Sequence, residues 1–235
     1  YLHYSAVLKQ KVPTWYQNGG TLAPSSLNIE QSSSESTARF KAEIFTGGHG
    51  ADLSGGMGVD SYFMAEKADT WIHNEPSPEL SRLVAFNFGT LGLRNTRFTQ
   101  YLAEDFPEDP LDFLYVDPSR RDDQQQKVFL PQDCRPNLPE IREKLLKISP
   151  KILIKYAPLL DIKSAVHALV SVEEIWVLAE KNEVKELVFL MGRQGAENPP
   201  IHCVNLGSAQ PTFTFDFEKE KRVQAHYGPP KKYLY

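Results

Sequence analysis

Two strand-like runs late in the chain, Glu174 to Ala179 and Glu186 to Met191, are separated only by the polar stretch Glu180 to Lys185. A parallel crossover needs a dozen or more residues, so this pair must form an antiparallel hairpin. Ahead of it, short apolar runs alternate with helical patterns, the signature of βαβ units. The expected fold class is α/β, with a mostly parallel sheet, a terminal antiparallel hairpin and helices in front.

The units can be walked in order. Tyr1 to Gln17 reads as a helix ending at the turn Asn18-Gly19-Gly20. Ser32-x-x-Glu35 reads as a capping box opening a helix to about Phe45, broken by Gly47 and Gly48. Strands are expected at Ala51 to Leu53, Thr70 to Asn74, Thr96 to Thr99, Leu111 to Val116 and Lys151 to Tyr156, with His202 to Leu206 and Thr212 to Phe217 after the hairpin. Helices are expected at Val59 to Lys67, from Ser77-Pro78 to Gly92, around Leu138 to Lys147, and after Asp161. The stretch from Ser119 to Pro136 reads as a long polar connection.

Composition excludes several classes. No apolar run approaches the length of a bilayer span, and the first residues lack the basic start and apolar core of a signal peptide. Two cysteines, Cys134 and Cys203, fit neither a disulfide framework nor a metal-ligand spacing, so no metal is expected and a cytoplasmic setting fits. A net charge of −4 argues against a surface that attracts nucleic acid throughout, though not against a local basic patch.

Two polar motifs sit where strands should end. In an open α/β sheet that is where ligands bind, so the two motifs predict one site with two halves. The first is Asp52-Leu53-Ser54-Gly55-Gly56-Met57-Gly58-Val59-Asp60. Gly55, Gly56 and Gly58 allow a tight turn and close approach of a ligand to the backbone, and the following helix aims free amides into the same space. Asp52 suits an amine, and Glu75, at the end of the next strand, stands where an acid takes ribose hydroxyls. Either the glycines are only a turn and Glu75 a surface acid, or an adenosine-containing cofactor binds here. The G-G-x-G spacing departs from the dinucleotide fingerprint. The second motif, Asp117-Pro118-Ser119-Arg120-Arg121, follows the strongest strand signal.

The stretch Asp52 to Asp60 resembles motif I of class I S-adenosylmethionine-dependent methyltransferases, with Glu75 in the place of their ribose-binding acid. The terminal hairpin is also a mark of their Rossmann-like seven-stranded sheet. More narrowly, the chain resembles the THUMP-like-domain methyltransferase family of Bacteroidetes. Pro13-Thr14-Trp15-Tyr16, Glu30 to Glu35, Ile154-Lys155-Tyr156-Ala157-Pro158 and Lys181 to Leu187 carry that match along with the two motifs. The resemblance implies S-adenosylmethionine as cofactor, with Asp52, Gly55, Gly56, Gly58, Asp60, Glu75 and Gln31 around it. It implies methyl transfer to an unidentified acceptor, with RNA as the favoured partner by analogy. It also divides the chain into an N-terminal helical segment (1–46), the methyltransferase domain (47–217) and a linker (218–235) to a further domain.

In amino-methyltransferases of this fold the acid is often followed by Pro-Pro and an aromatic; here Ser119 and Arg120 stand after Asp117-Pro118. That departure speaks against simple N6 or N4 base methylation. Asp117 is expected to orient an amine or act as base. Arg120 and Arg121 either clamp a phosphate or carboxylate, or pair with Asp122, Asp123 or Glu140 to order the loop. Tyr156 either stacks on substrate or packs in the core, while Lys155 and Lys181 either extend a basic rim or, by default, are solvated surface lysines. Gln31, Ser33 and Thr37 are expected on the helix before the first strand, which in this family often covers the methionine end of the cofactor, though capping alone explains the serines. Two rivals remain at this stage: a non-catalytic nucleotide- or RNA-binding module, and a nucleotide-dependent oxidoreductase.

Overall fold

The computed structural model describes residues 2–23, 25–120 and 130–224. The N-terminal segment folds into α1 (Leu2–Lys11), α2 (Pro13–Asn18), α3 (Ser26–Gln31) and α4 (Glu35–Ile44). The single helix expected up to Gln17 is therefore split. Pro13 disfavours helical backbone at Val12, which sits at φ −136°, and Pro13 opens α2 instead. Helix α3 was not anticipated. The expected capping box is also corrected: Ser34, not Ser32, caps α4, accepting the Thr37 amide. The Glu35 carboxylate is used elsewhere, holding the Thr14 amide and hydroxyl.

The βα alternation then follows with β1 (His49–Asp52), α5 (Val59–Ala65), β2 (Thr70–Asn74), α6 (Pro78–Thr90), β3 (Thr96–Thr99) and β4 (Phe113–Val116). Helix α6 starts as its sequence dictates, with Ser77 Oγ accepting the Leu80 amide and Pro78 in the first turn. Beyond β4, the expected polar connection contains β5 (Ser119–Arg120), paired antiparallel with β6 (Cys134–Arg135). Helix α7 (Leu138–Ile148), β7 (Lys151–Tyr156) and α8 (Ile162–Leu169) come next, and Asp161 caps α8 through the Ser164 amide. Strands β8 (Val172–Glu180) and β9 (Glu183–Gly192) form the antiparallel hairpin, turned by Lys181 and Asn182 at φ 53° and 64°. Strand β10 (Ile201–Leu206) pairs parallel with β8, and β11 (Phe213–Phe215) antiparallel with β10. A short helix, α9 (Phe217–Arg222), occupies the start of the stretch read as linker.

The main sheet runs β11-β10-β8-β9-β7-β4-β1-β2-β3. Strands β7, β4, β1, β2 and β3 are mutually parallel, and β9 inserts antiparallel between β7 and β8. Strand alternation splits the core into two layers. Phe113 and Tyr115 of β4 face the layer of α4, α5 and α6; Leu114 and Val116 face that of α7 and α8. The N-terminal helices belong to the first layer. Trp15 is buried edge-on against Tyr62 and Phe88, and the Asn87 side chain holds both the amide and the carbonyl of Leu22.

Candidate functional site

Chain order reverses direction in the sheet at β1 and β4, so the crevice above their carboxyl ends is the topological switch point. Both sequence motifs arrive there. From β1 the chain passes Asp52 and turns through the glycine loop into α5; from the adjacent β4 it passes directly to Asp117.

The glycines have separate reasons to be glycine. A Cβ on Gly55 would stand 2.3 Å from the His73 ring, and one on Gly58, at φ 76°, would stand 2.6 Å from Val84. Those two admit the loop to its own core. Gly56, at φ 52°, has only the Ser54 carbonyl near, at 3.6 Å, so its outer side is open for a ligand to approach the backbone. Glu75 closes the loop from β2. Its Oε2 accepts the Gly56 amide at 2.9 Å, and its Oε1 the Ser77 amide at 2.8 Å. Each carboxylate oxygen keeps a further lone pair for an outside donor.

Asp52 is turned inward and only 1% exposed. Its oxygens accept from the Ser54 amide and hydroxyl and from Ser61 Oγ. Burial pushes its carboxyl up to about 7 against those hydrogen bonds. Ser61 Oγ also meets Trp71 Nε1 and His73 Nδ1, and burial lowers His73 to about 3, so that imidazole is neutral. Asp60, in the first turn of α5, also points into the protein. It accepts from Ser33 Oγ and Tyr115 OH and pairs with Lys41 at 2.8 Å. Burial opposes its charge, but Lys41 and Lys155 outweigh that and hold its carboxyl below the ordinary range. Gln31 ends α3 with its side chain exposed.

In the other half, Asp117 Oδ2 lies 2.5 Å from Lys155 Nζ, and the Asp117 amide donates to Ser54 Oγ at 2.6 Å. The backbone of Arg120 pairs with Cys134 in the small ribbon. Arg121 lies outside the described residues, as do Asp122 and Asp123. Tyr156 is buried edge-on against Phe189, the core alternative of the two roles considered for it.

Sequence reading missed several groups. Lys41 on α4 is fully buried, with its ammonium held by Asp60, Glu186 of β9 and Ser33. Thr37 gives its hydroxyl to the same Glu186. A signal existed: Thr37, Lys41 and Phe45 recur at the four-residue spacing of one helix face. Lys155 reads by default as a solvated surface lysine, yet its side chain is only 13% exposed. Its place in a strand between the apolar run Ile152-Leu153-Ile154 and Tyr156 was the available clue. Ser54 was legible as the partner of an Asx turn two residues after Asp52.

The arrangement of strands and loops is shared with solved structures. A candidate methyltransferase from Porphyromonas gingivalis W83 is 30% identical with a TM-score of 0.85, over 97% of this chain and 59% of that one. The chain has a methyltransferase fold. A candidate RNA methyltransferase from Pyrococcus horikoshii matches at 14% identity and a TM-score of 0.53, covering 77% of this chain and 95% of that one. A modification subunit of a candidate type I restriction enzyme from Vibrio vulnificus YJ016 matches at 11% identity and a TM-score of 0.50, covering 75% and 47%. These two similarities extend to the fold alone. This methyltransferase-fold chain thus spans about three fifths of the length of the P. gingivalis protein. No protein-family model matches the chain, and no curated protein does. Among the described residues no helix is long and apolar enough to cross a membrane, and no group of three or more His, Cys, Asp or Glu side chains is placed to hold a metal ion.

Proposed function

We propose that this chain is the catalytic part of an S-adenosylmethionine-dependent methyltransferase. Residues 47–217 form the catalytic domain, 1–46 its N-terminal helical segment and 218–235 a linker. The observation that carries the reading is the open side of Gly56, braced by Glu75, in a loop that Ser54 ties to Asp117 at the β1/β4 switch point. The residues present fit the cofactor: an uncovered positive-φ glycine for close approach, and an acid at the end of β2 with lone pairs to spare for ribose hydroxyls.

When bound, the cofactor supplies a methyl group activated by a sulfonium. The chain's own work is to orient the acceptor and receive its proton. Asp117, a third exposed, would accept a hydrogen bond from an acceptor N–H and take up the proton that the nitrogen gives up on exchanging it for the methyl group, the sulfonium leaving as a neutral thioether. Arg120 and Arg121 follow Asp117 in the sequence as candidates for an anionic part of the acceptor, such as a phosphate. Asp52 and Asp60 serve the cofactor half by holding the glycine loop and α5 in place, and Gln31, the last residue of α3, is a candidate to cover the methionine end. RNA is the acceptor class we favour, in line with the RNA methyltransferase named among the similar structures.

The test is calorimetric titration of S-adenosylmethionine into the wild type and Glu75→Ala. Saturable binding weakened at least about tenfold in the variant supports the reading, as loss of a charged hydrogen bond costs on the order of 1.5–3 kcal/mol. Transfer of a tritiated methyl group to an RNA pool then tests the acceptor class. A folded wild type that binds no cofactor overturns the reading.

A further inference from the structure

We propose that Lys155 is the positioning residue of the acceptor half: from β7 its ammonium fixes the Asp117 carboxylate and keeps it ionised at the crevice. The role of Asp117 toward an acceptor rests on the methyltransferase reading; the charge relation between the two residues stands on geometry.

Asp117 has two anchors. Ser54 Oγ takes its backbone amide, and Lys155 Nζ takes its Oδ2 at 2.5 Å, which fixes the carboxylate plane and leaves the remaining oxygen for an outside donor. The Lys155 side chain is 13% exposed and that of Asp117 34%, so the lysine forms the inner wall and the acid the surface facing the crevice. A lysine in such a place cannot be an ordinary solvated one.

The surroundings explain why a cation is needed. Asp60 on α5 and Glu186 on β9 bring negative charge from two further elements. Lys41 on α4 is already held by Asp60 and Glu186, and Lys11 on α1 donates to the Glu30 carbonyl while repelling Lys155. The neutral phenols of Tyr115 and Tyr156 complete the wall. The Asp117 carboxyl stands above its ordinary value: burial is the largest influence and pushes it up, and Lys155 is the strongest influence that limits the rise. Burial likewise opposes the charge on Lys155, but Asp117, Glu186 and Asp60 outweigh it and raise the lysine above its ordinary value. Without Lys155 the acid would take up a proton and lose the acceptor capacity that a base needs.

The experiment is a carboxyl ¹³C NMR titration of Asp117 in the wild type, Lys155→Met and Lys155→Arg, with a parallel ¹⁵N titration of the Lys155 ammonium in wild type and Asp117→Asn. We expect the Asp117 midpoint to rise by about one pH unit or more in Lys155→Met, an order of magnitude in proton affinity, and to return in Lys155→Arg. The isosteric Asp117→Asn should lower the Lys155 midpoint, and this arm answers the question even where Lys155→Met does not fold. An Asp117 midpoint unmoved or lowered in folded Lys155→Met, or a Lys155 midpoint unmoved in Asp117→Asn, overturns the proposal. Calorimetry separates the two readings: both Lys155 variants should bind S-adenosylmethionine within about threefold of wild type. A wild type that binds none would defeat the methyltransferase reading while leaving the titration result standing.

Discussion

Ser54 Oγ accepts the Asp117 amide at 2.6 Å while donating to Asp52 Oδ1 at 3.1 Å, so a single hydroxyl ties the loop after β1 to the loop after β4. The two halves of the crevice are thereby held at a fixed separation. The proposed methyl transfer would depend on such alignment, since small misplacements are costly. Ser54→Ala should leave the part-buried Asp117 amide without its partner and destabilise the protein by about 1–2 kcal/mol. Urea unfolding checks this, and stability within ~0.3 kcal/mol of wild type would show the hydroxyl to be dispensable.

Gly58 tests the reason for glycine at that position. Its φ of 76° and the 2.6 Å approach of Val84 to an added Cβ combine backbone strain with overpacking. Gly58→Ala should cost about 2–4 kcal/mol. For a domain of this size that lowers Tm by roughly 4–16 °C. Gly56→Ala meets no such crowding, so it should retain more of the stability while losing cofactor affinity. Equal destabilisation by the two substitutions would contradict this division of labour.

The fold was legible where local signals decide it. Strands β2, β3 and β7 fall on the residues expected because turn-forming residues bound them, and the short connection at Lys181-Asn182 left the hairpin no alternative. The capping box was misplaced because Glu35 is taken by Thr14, a partner 21 residues away that no local rule contains. The buried charges were missed for the same reason. Lys41, Asp60 and Glu186 come from three distant segments, and each alone reads as an ordinary surface residue. Motif spacing marked where the crevice lies, but which carboxylates turn inward was decided by tertiary packing.

Lys41 joins α4 to α5 and β9 through Asp60 and Glu186. Lys41→Met would fit the space but leave those acids buried without their cation. Removing one partner of a buried ion pair costs about 3–5 kcal/mol. Adding Glu186→Gln should recover part of that loss, because the excess negative charge falls. Chemical denaturation of the single and double variants measures the coupling, and strict additivity would argue against a shared network.

Asp52 and His73 meet at Ser61 and act on stability with opposite signs. The Asp52 carboxyl rises from 3.8 to about 7 on folding, so the native state holds a proton that the unfolded chain has released between those values. Its contribution therefore falls as pH rises through that window. His73 drops from 6.5 to about 3, so there the unfolded chain holds the extra proton and stability rises with pH. Between about pH 4 and 6.5 the two slopes, each near 1.4 kcal/mol per pH unit, largely cancel. Asp52→Asn removes one of them. Relative to wild type, the variant's stability should climb with pH from about 4 to about 7 and level off above that. Urea midpoints measured at half-unit intervals resolve the difference. Parallel pH profiles for the two proteins would show that Asp52 titrates alike in both states and would dissolve the opposition.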